Sequence, residues 1–225
     1  MLTGIELREP IYRVARSPVW EWPDWAFAGK DGTFGNRYDD PTSNYRVLYA
    51  SHTRHGCFIE TLARYRPDLA LYAELAEIEG PDDHVPPGVV PGQWLRERYV
   101  GMARATGTHA EIGSSESIAY LRAKLAGALV GFDLDDFDAA SLQMTAPRSV
   151  TQLVSHLAFR DRFDGVRYLS KYGNDVINVA IFEGRVFFSD ERETPIDHDD
   201  GELRRALDVH NLVLGDVALR GVEHS

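Results

Sequence analysis

The chain has 225 residues, with 24 Lys and Arg against 35 Asp and Glu and a formal charge of −11. Hydrophobic residues make up 44% and charged residues 26%, which excludes a disordered or collagen-like chain and permits a core without covalent staples. The acidic excess disfavours direct binding of nucleic acid, and the single cysteine, Cys57, excludes an internal disulfide and a cysteine-built zinc cluster.

No apolar stretch reaches the roughly 18 residues of a membrane span. The opening MLTGIELREP lacks the basic-then-apolar order of a secretion signal, so a cytoplasmic protein without membrane contact is expected. In chain order, Ile11 to Val14 reads as a short strand and Ser17 to Asn44 as a long ordered loop. Tyr45 to Ala50 reads as a strand. Thr53 to Tyr65 reads as a helix, because Cys57, Phe58, Thr61, Leu62 and Tyr65 recur at helical spacing. Asp68 to Ile78 is ambiguous between helix and strand. Gly80 to Gly92 holds four prolines and three glycines and reads as a surface excursion. Leu95 to Met102 reads as a short strand.

Ser114 to Leu129 reads as a helix, capped by Ser114 or Ser115, with Ile118, Leu121, Leu125 and Leu129 as its apolar stripe. Val130 to Leu134 reads as a strand entering an acidic turn, and Ser149 to Phe163 as a helix. Val166 to Leu169, Val176 to Phe182 and Arg185 to Phe188 read as strands, the last two joined by a Glu183-Gly184 hairpin. A short helix over Gly201 to Leu207 and a strand over Asn211 to Leu219 complete the reading. Helices and strands without regular alternation point to an α+β fold.

Phosphate-loop, zinc-protease, nucleophile-elbow and EF-hand motifs are missing from the sequence. Gly29 to Gly35 lacks the strand and helix that a dinucleotide fingerprint needs. His52 with His55, the turn His198 to Asp200 and the acidic turn Asp133 to Asp138 are read as non-metal positions, and Cys57 as a core residue. Glu77 and Glu79 resemble the paired glutamates of arginine-specific ADP-ribosyltransferases, but such pairs before a Gly-Pro loop are common. A stronger signal is a set of polar residues inside or at the ends of apolar elements: Arg13, Tyr49, Glu60, Ser149 and Ser170. Each also has a plain structural account. Arg13 and Glu60 suit a buried ion pair, Tyr49 a core position, Ser149 a helix N-cap and Ser170 a strand end.

The order and spacing of the segments IYRV, VLYASHTRHGCFIETLARYRPD, VGFDLDD and RSVTQLVSHLAFRDRFDGVRYLSKYGNDVINVAIFE resemble the RES-domain family, over residues 11 to 183. The resemblance implies an ADP-ribosyltransferase-like fold, a split mixed β-sheet with surrounding helices, and the consumption of NAD. It makes Arg13, Tyr49, Glu60 and Ser149 the catalytic set. Tyr12, Arg37, Tyr38 and Ser170 become NAD-binding candidates, with Ser170 an alternative to Ser149 as the functional serine. It also implies NAD glycohydrolase or phosphorylase activity, inorganic phosphate as a further reactant, and a toxin role with a cognate antitoxin. Modification of a protein, or non-catalytic nucleotide binding, are the other readings. A homo-oligomer is compatible with it. Residues 1–225 are expected to form one domain with an insertion at about 79–113, and no metal is required.

These residue types suit that chemistry. Breaking the nicotinamide–ribose bond builds positive charge on the sugar, which a carboxylate such as Glu60 stabilises. The planar forks of Arg13 and Arg37 match pyrophosphate oxygens. Tyr49 and Tyr38 can stack on a base, and a serine can hold an amide or a ribose hydroxyl.

Overall fold

The computed structural model describes residues 1–76, 86–144 and 146–215. In chain order these form β1 (Gly4–Glu6), β2 (Ile11–Ala15), β3 (Val47–Ser51), α1 (Arg54–Leu62), α2 (Leu69–Ala76), β4 (Gly88–Val90), α3 (Gly92–Glu97) and β5 (Tyr99–Ala105). They continue with β6 (Thr108–Glu111), α4 (Ser115–Gly131), α5 (Ala139–Gln143), α6 (Arg148–Arg160), β7 (Gly165–Ser170), β8 (Gly173–Phe182), β9 (Phe188–Pro195), α7 (Gly201–His210) and β10 (Leu212–Leu214). An eight-stranded sheet runs β1-β6-β7-β8-β3-β2-β5-β9, while β4 and β10 pair separately. Only β6 and β7 are parallel within the large sheet. The expected α+β class, a mixed sheet with surrounding helices, is what the chain forms.

The sheet is split. β3 shares five register pairs with β8, and β2 shares five with β5, yet β2 and β3 share the single pair Tyr12 and Ser51. The split separates two cores on one face. Alternate residues of β8 show this most clearly: Val176 belongs to one core, Ala180 and Phe182 to the other, and Asn178 lies between them. The first core packs Phe58, Leu62, Trp94, Leu203 and Leu207 from α1, α3 and α7. The second packs Tyr45, Leu121, Val150, Val154 and Phe182 under α4 and α6. On the opposite face Ile11, Leu48, Ala50, Val179 and Ile181 pack under Trp20 from the long loop. Each fully buried aliphatic or aromatic side chain contributes about 1.5–3 kcal/mol.

Helix α1 is set close to the sheet. Thr53 caps it, its side chain accepting from Gly56 N at 2.9 Å. A Cβ at Gly56 would sit 2.2 Å from Ser51 Oγ, so only glycine permits this approach to β3. Ser114 caps α4 as expected, accepting from Ser117 N.

Several expectations need correction. Val130 to Leu134 is not a strand: α4 continues to Gly131, Val130 is exposed, and Phe132 closes the helix with its N–H on the preceding carbonyls. Glu183-Gly184 is a turn with Gly184 at φ +73 but not a hairpin, because β7 and β3 already occupy both edges of β8. The chain instead crosses to the far side of β5, so the strand runs Phe188–Pro195. Leu95 lies within α3, and the strand after it starts at Tyr99. Residues 69–76 are helical. Residues 86–113, the described part of the segment expected as an insertion, supply β5 and β6 to the main sheet. Its first residues, 79–85, and the Glu77/Glu79 pair lie outside the described residues. The final strand is Leu212–Leu214, and residues 216–219 also lie outside.

Candidate active site

A cleft of about 730 Å³ opens where β2 leaves β3, a size usual for small-molecule sites. Its floor is one row across four strands. Tyr168 of β7 lies opposite Asn178 of β8, Asn178 opposite Ser51 of β3, and Ser51 opposite Tyr12 of β2. All four side chains line the cleft. Tyr12 and Val14 line it together with Arg13 and Ala15, so both parities of β2 reach the opening. That follows from the splay, since a strand paired on both edges would present one parity per face.

Glu60 descends into the cleft from α1. It is half-buried, and Asn178 Nδ2 donates to its Oε1 at 2.7 Å. Among the described residues lining the cleft, Glu60 is the one carboxylate. Around it stand Arg13 and Arg16, Arg37 of the long loop, Arg64 and Arg98, Arg148 opening α6, and Lys171. A chain of net charge −11 thus concentrates cations in its cleft.

Two of these guanidinium groups are set in place without a full set of acceptors. Arg13 Nε is buried and has no hydrogen-bond partner among the described residues, and burial pushes the group down to about 10, still a cation at neutral pH. The buried Arg13–Glu60 ion pair therefore does not form. Arg37 lies over the rings of Tyr38 and Tyr168, each 5.2 Å from its guanidinium carbon. One Arg37 terminal nitrogen donates to Tyr38 Oη at 3.2 Å and to the Leu142 carbonyl, while its buried Nε is unpartnered. Both residues line the cleft as cations without a carboxylate partner among the described residues, a setting that suits an anion.

Tyr49 anchors the loop that carries Arg37. Its hydroxyl donates to Asp39 Oδ1 at 2.9 Å and accepts from Tyr38 N at 3.0 Å. Burial, then the neighbouring Asp39 carboxylate, holds the phenol well above its usual range, so it stays protonated. Asp39 is buried and also accepts from Phe34 N at 3.0 Å and Asn36 N at 2.8 Å. Gly35, at φ +77, makes the turn; a Cβ there would lie 3.3 Å from Arg148 Nη1. Tyr168 is likewise held well above its usual range, by burial and then by Glu60.

The structure brings Arg13, Tyr49, Glu60, Tyr12 and Arg37 to one cleft, and leaves three other expected residues off its lining. Tyr38 is fully buried, its ring 4.5 Å from Tyr168 and its hydroxyl donating to Leu142 O at 3.3 Å. It backs the cleft and has no free face for a base. Ser149 is the second residue of α6, whose cap is Pro147, so Ser149 is not the N-cap; the lining residue there is Arg148. Ser170 is buried, and its hydroxyl accepts from Tyr172 N at 2.9 Å within the β7–β8 turn. Residues that the sequence alone did not single out are Asn178, Tyr168, Asp39 and Arg148. For Asn178 a signal exists, a polar residue on the inward parity of VINVAIF.

Among the described residues, the one group close enough to share a metal ion is Asp197, His198 and Asp199, which is exposed and off the cleft. Cys57 touches the cleft, but its thiol donates to Arg54 O at 3.0 Å and burial pushes it up to about 12, so it is a poor nucleophile. No helix among the described residues is long and apolar enough to cross a membrane.

No family model matches the chain, and no curated protein matches its sequence. Among solved structures, a chain of the M. tuberculosis MbcT–MbcA toxin–antitoxin complex aligns with a TM-score of 0.47 and 13% identity, over 92% of this chain and 91% of that one. A likeness of that size assigns no residue a role.

Proposed function

We propose that the protein cleaves the nicotinamide–ribose bond of NAD, with Glu60 as the carboxylate that stabilises the charge developing on the sugar. The observation that carries this reading is a lone carboxylate at the centre of a cleft lined by cations, two of which hold buried and unpartnered Nε donors. The bond breaks with its electron pair passing to the pyridine nitrogen, which neutralises the nicotinamide ring. The ribose carbon becomes oxocarbenium-like beside the Glu60 carboxylate. An oxygen of water or inorganic phosphate then bonds to that carbon, and in the case of water a proton is released. Arg13 and Arg37 would take the pyrophosphate, and Tyr49, held protonated, fixes the loop that presents Arg37.

Nicotinamide release from NAD, followed by chromatography with and without phosphate, tests the reading. Release is expected, with a phosphate-dependent product if phosphate is the acceptor. No release in either condition sinks it. Labelling of a protein in a lysate by radioactive NAD, with little free nicotinamide, would favour protein ADP-ribosylation instead. The toxin role with a protein antitoxin rests on the sequence resemblance alone. It predicts that expression arrests growth and that the Glu60→Gln variant does not; harmless expression of active enzyme contradicts it.

A further inference from the structure

Asn178 is a buried polar group of the cleft floor, 1% exposed. Its side-chain nitrogen donates to Glu60 Oε1 at 2.7 Å, while its buried Oδ1 has no partner among the described residues. An unpartnered buried amide oxygen is unfavourable, so something must hold the amide in this orientation. The carboxylate does so. Ionised, it can only accept, and turning the amide over would set two acceptors face to face. Asn178 therefore fixes which carboxylate oxygen faces the cleft. Its own place is rigid, because β8 is paired on both sides, with Tyr168 and Ser51 as its cross-strand neighbours.

From this geometry, and resting on the reading of Glu60 above, we infer that Asn178 is the positioning residue of the reaction. It holds the Glu60 carboxylate aimed at the ribose, without touching the substrate. Tyr38, Tyr168 and His210 and the cleft cations Arg13, Arg37 and Arg64 are among the charged or titratable groups around Glu60, and none of these six makes a hydrogen bond to it among the described residues. Glu60 has one described hydrogen-bond donor, and it is this amide.

The test compares Asn178→Leu and Asn178→Asp with wild-type protein, using NAD as substrate and reading kcat and KM separately. Loss of a hydrogen bond to a charged group is expected to lower kcat about 10- to 100-fold, with KM within about twofold because no substrate contact is lost. Asn178→Asp should lower kcat further, because an aspartate carboxylate offers no donor and repels that of Glu60. Thermal unfolding shows whether each variant folds, and the near-isosteric aspartate decides the question if leucine does not fold. Unchanged kcat in a folded variant, or a loss confined to KM, would overturn the inference. Wild-type protein that leaves NAD intact would instead sink the reading of the site itself.

Discussion

Arg13 and Arg37 of the cleft are held differently from the paired arginines elsewhere and from Arg16, a lining residue that meets Glu97. Outside, Arg46 meets Glu183, Arg54 meets Asp200, Arg167 meets Glu111, Arg122 meets Asp136 and Arg204 meets Asp199. Inside, Arg13 and Arg37 have no carboxylate partner among the described residues, although acids outnumber bases 35 to 24 in the chain. Burying a cation without its counter-charge is unfavourable, and a group that can shed its charge does so. His109, fully buried, shows that outcome: burial lowers it to about 4 against the opposing pull of Asp164 and the Gly107 backbone, leaving it neutral at pH 7. Arginine cannot follow that route at neutral pH. The unpaired cations of the cleft therefore persist as charges, which is what an anionic substrate requires and what folding alone does not.

The largest effect that sharpens this contrast is at Glu60. Glu60→Gln keeps the shape but removes the one negative charge of the lining, and should lower kcat for NAD cleavage about 10²–10³-fold in a steady-state assay. A fall of less than fivefold would break the assignment. His109 supplies the next effect, on stability. Its pKa is about 4 folded and about 6.5 unfolded. Between those values the unfolded chain binds a proton that the folded chain does not, so stability is lost as pH falls from about 6.5 to 4. The loss amounts to at most about 3 kcal/mol. Unfolding curves at pH 7 and pH 4.5 should show it, and His109→Gln should flatten the difference. Arg13→Leu or Arg37→Leu should raise KM for NAD about 10- to 100-fold. For Arg13→Leu the melting temperature should not fall, because the native charge has no partner to lose. A drop in stability without a change in KM would place Arg13 with the structural arginines. Arg122→Ala, at an exposed pair far from the lining, should change neither quantity measurably.

Much of the fold was legible in the sequence where burial has a period. β2, β3, β7 and β8 alternate or run apolar, and α1, α4 and α6 carry recurrent apolar positions, so their residues announce them. β1, β4 and β6 are three or four residues long, too short for a period to register. β9 reads FSDERETP because it is an edge strand exposed along nearly its whole length, where charges protect an unpaired edge. Its partner β5 could not be inferred locally, since β8 was already filled from both sides. At the site, Arg13, Tyr49 and Glu60 stand out as polar residues within apolar elements. Asp39 is hidden in a loop without periodicity, and its importance lies in hydrogen bonds to Tyr49 and to backbone N–H groups, which no spacing reveals. The serines misled because helix-start and strand-end positions have their own structural uses, and for Ser170 that use is the β7–β8 turn.

The most direct test is a crystal structure of the Glu60→Gln variant soaked with NAD, which the variant should bind but scarcely cleave. The account predicts the nicotinamide ribose within hydrogen-bond distance of the residue 60 amide, beside Asn178, and the pyrophosphate on Arg13 and Arg37. NAD bound elsewhere on the surface, or lying in the cleft with its pyrophosphate away from both arginines, would contradict it.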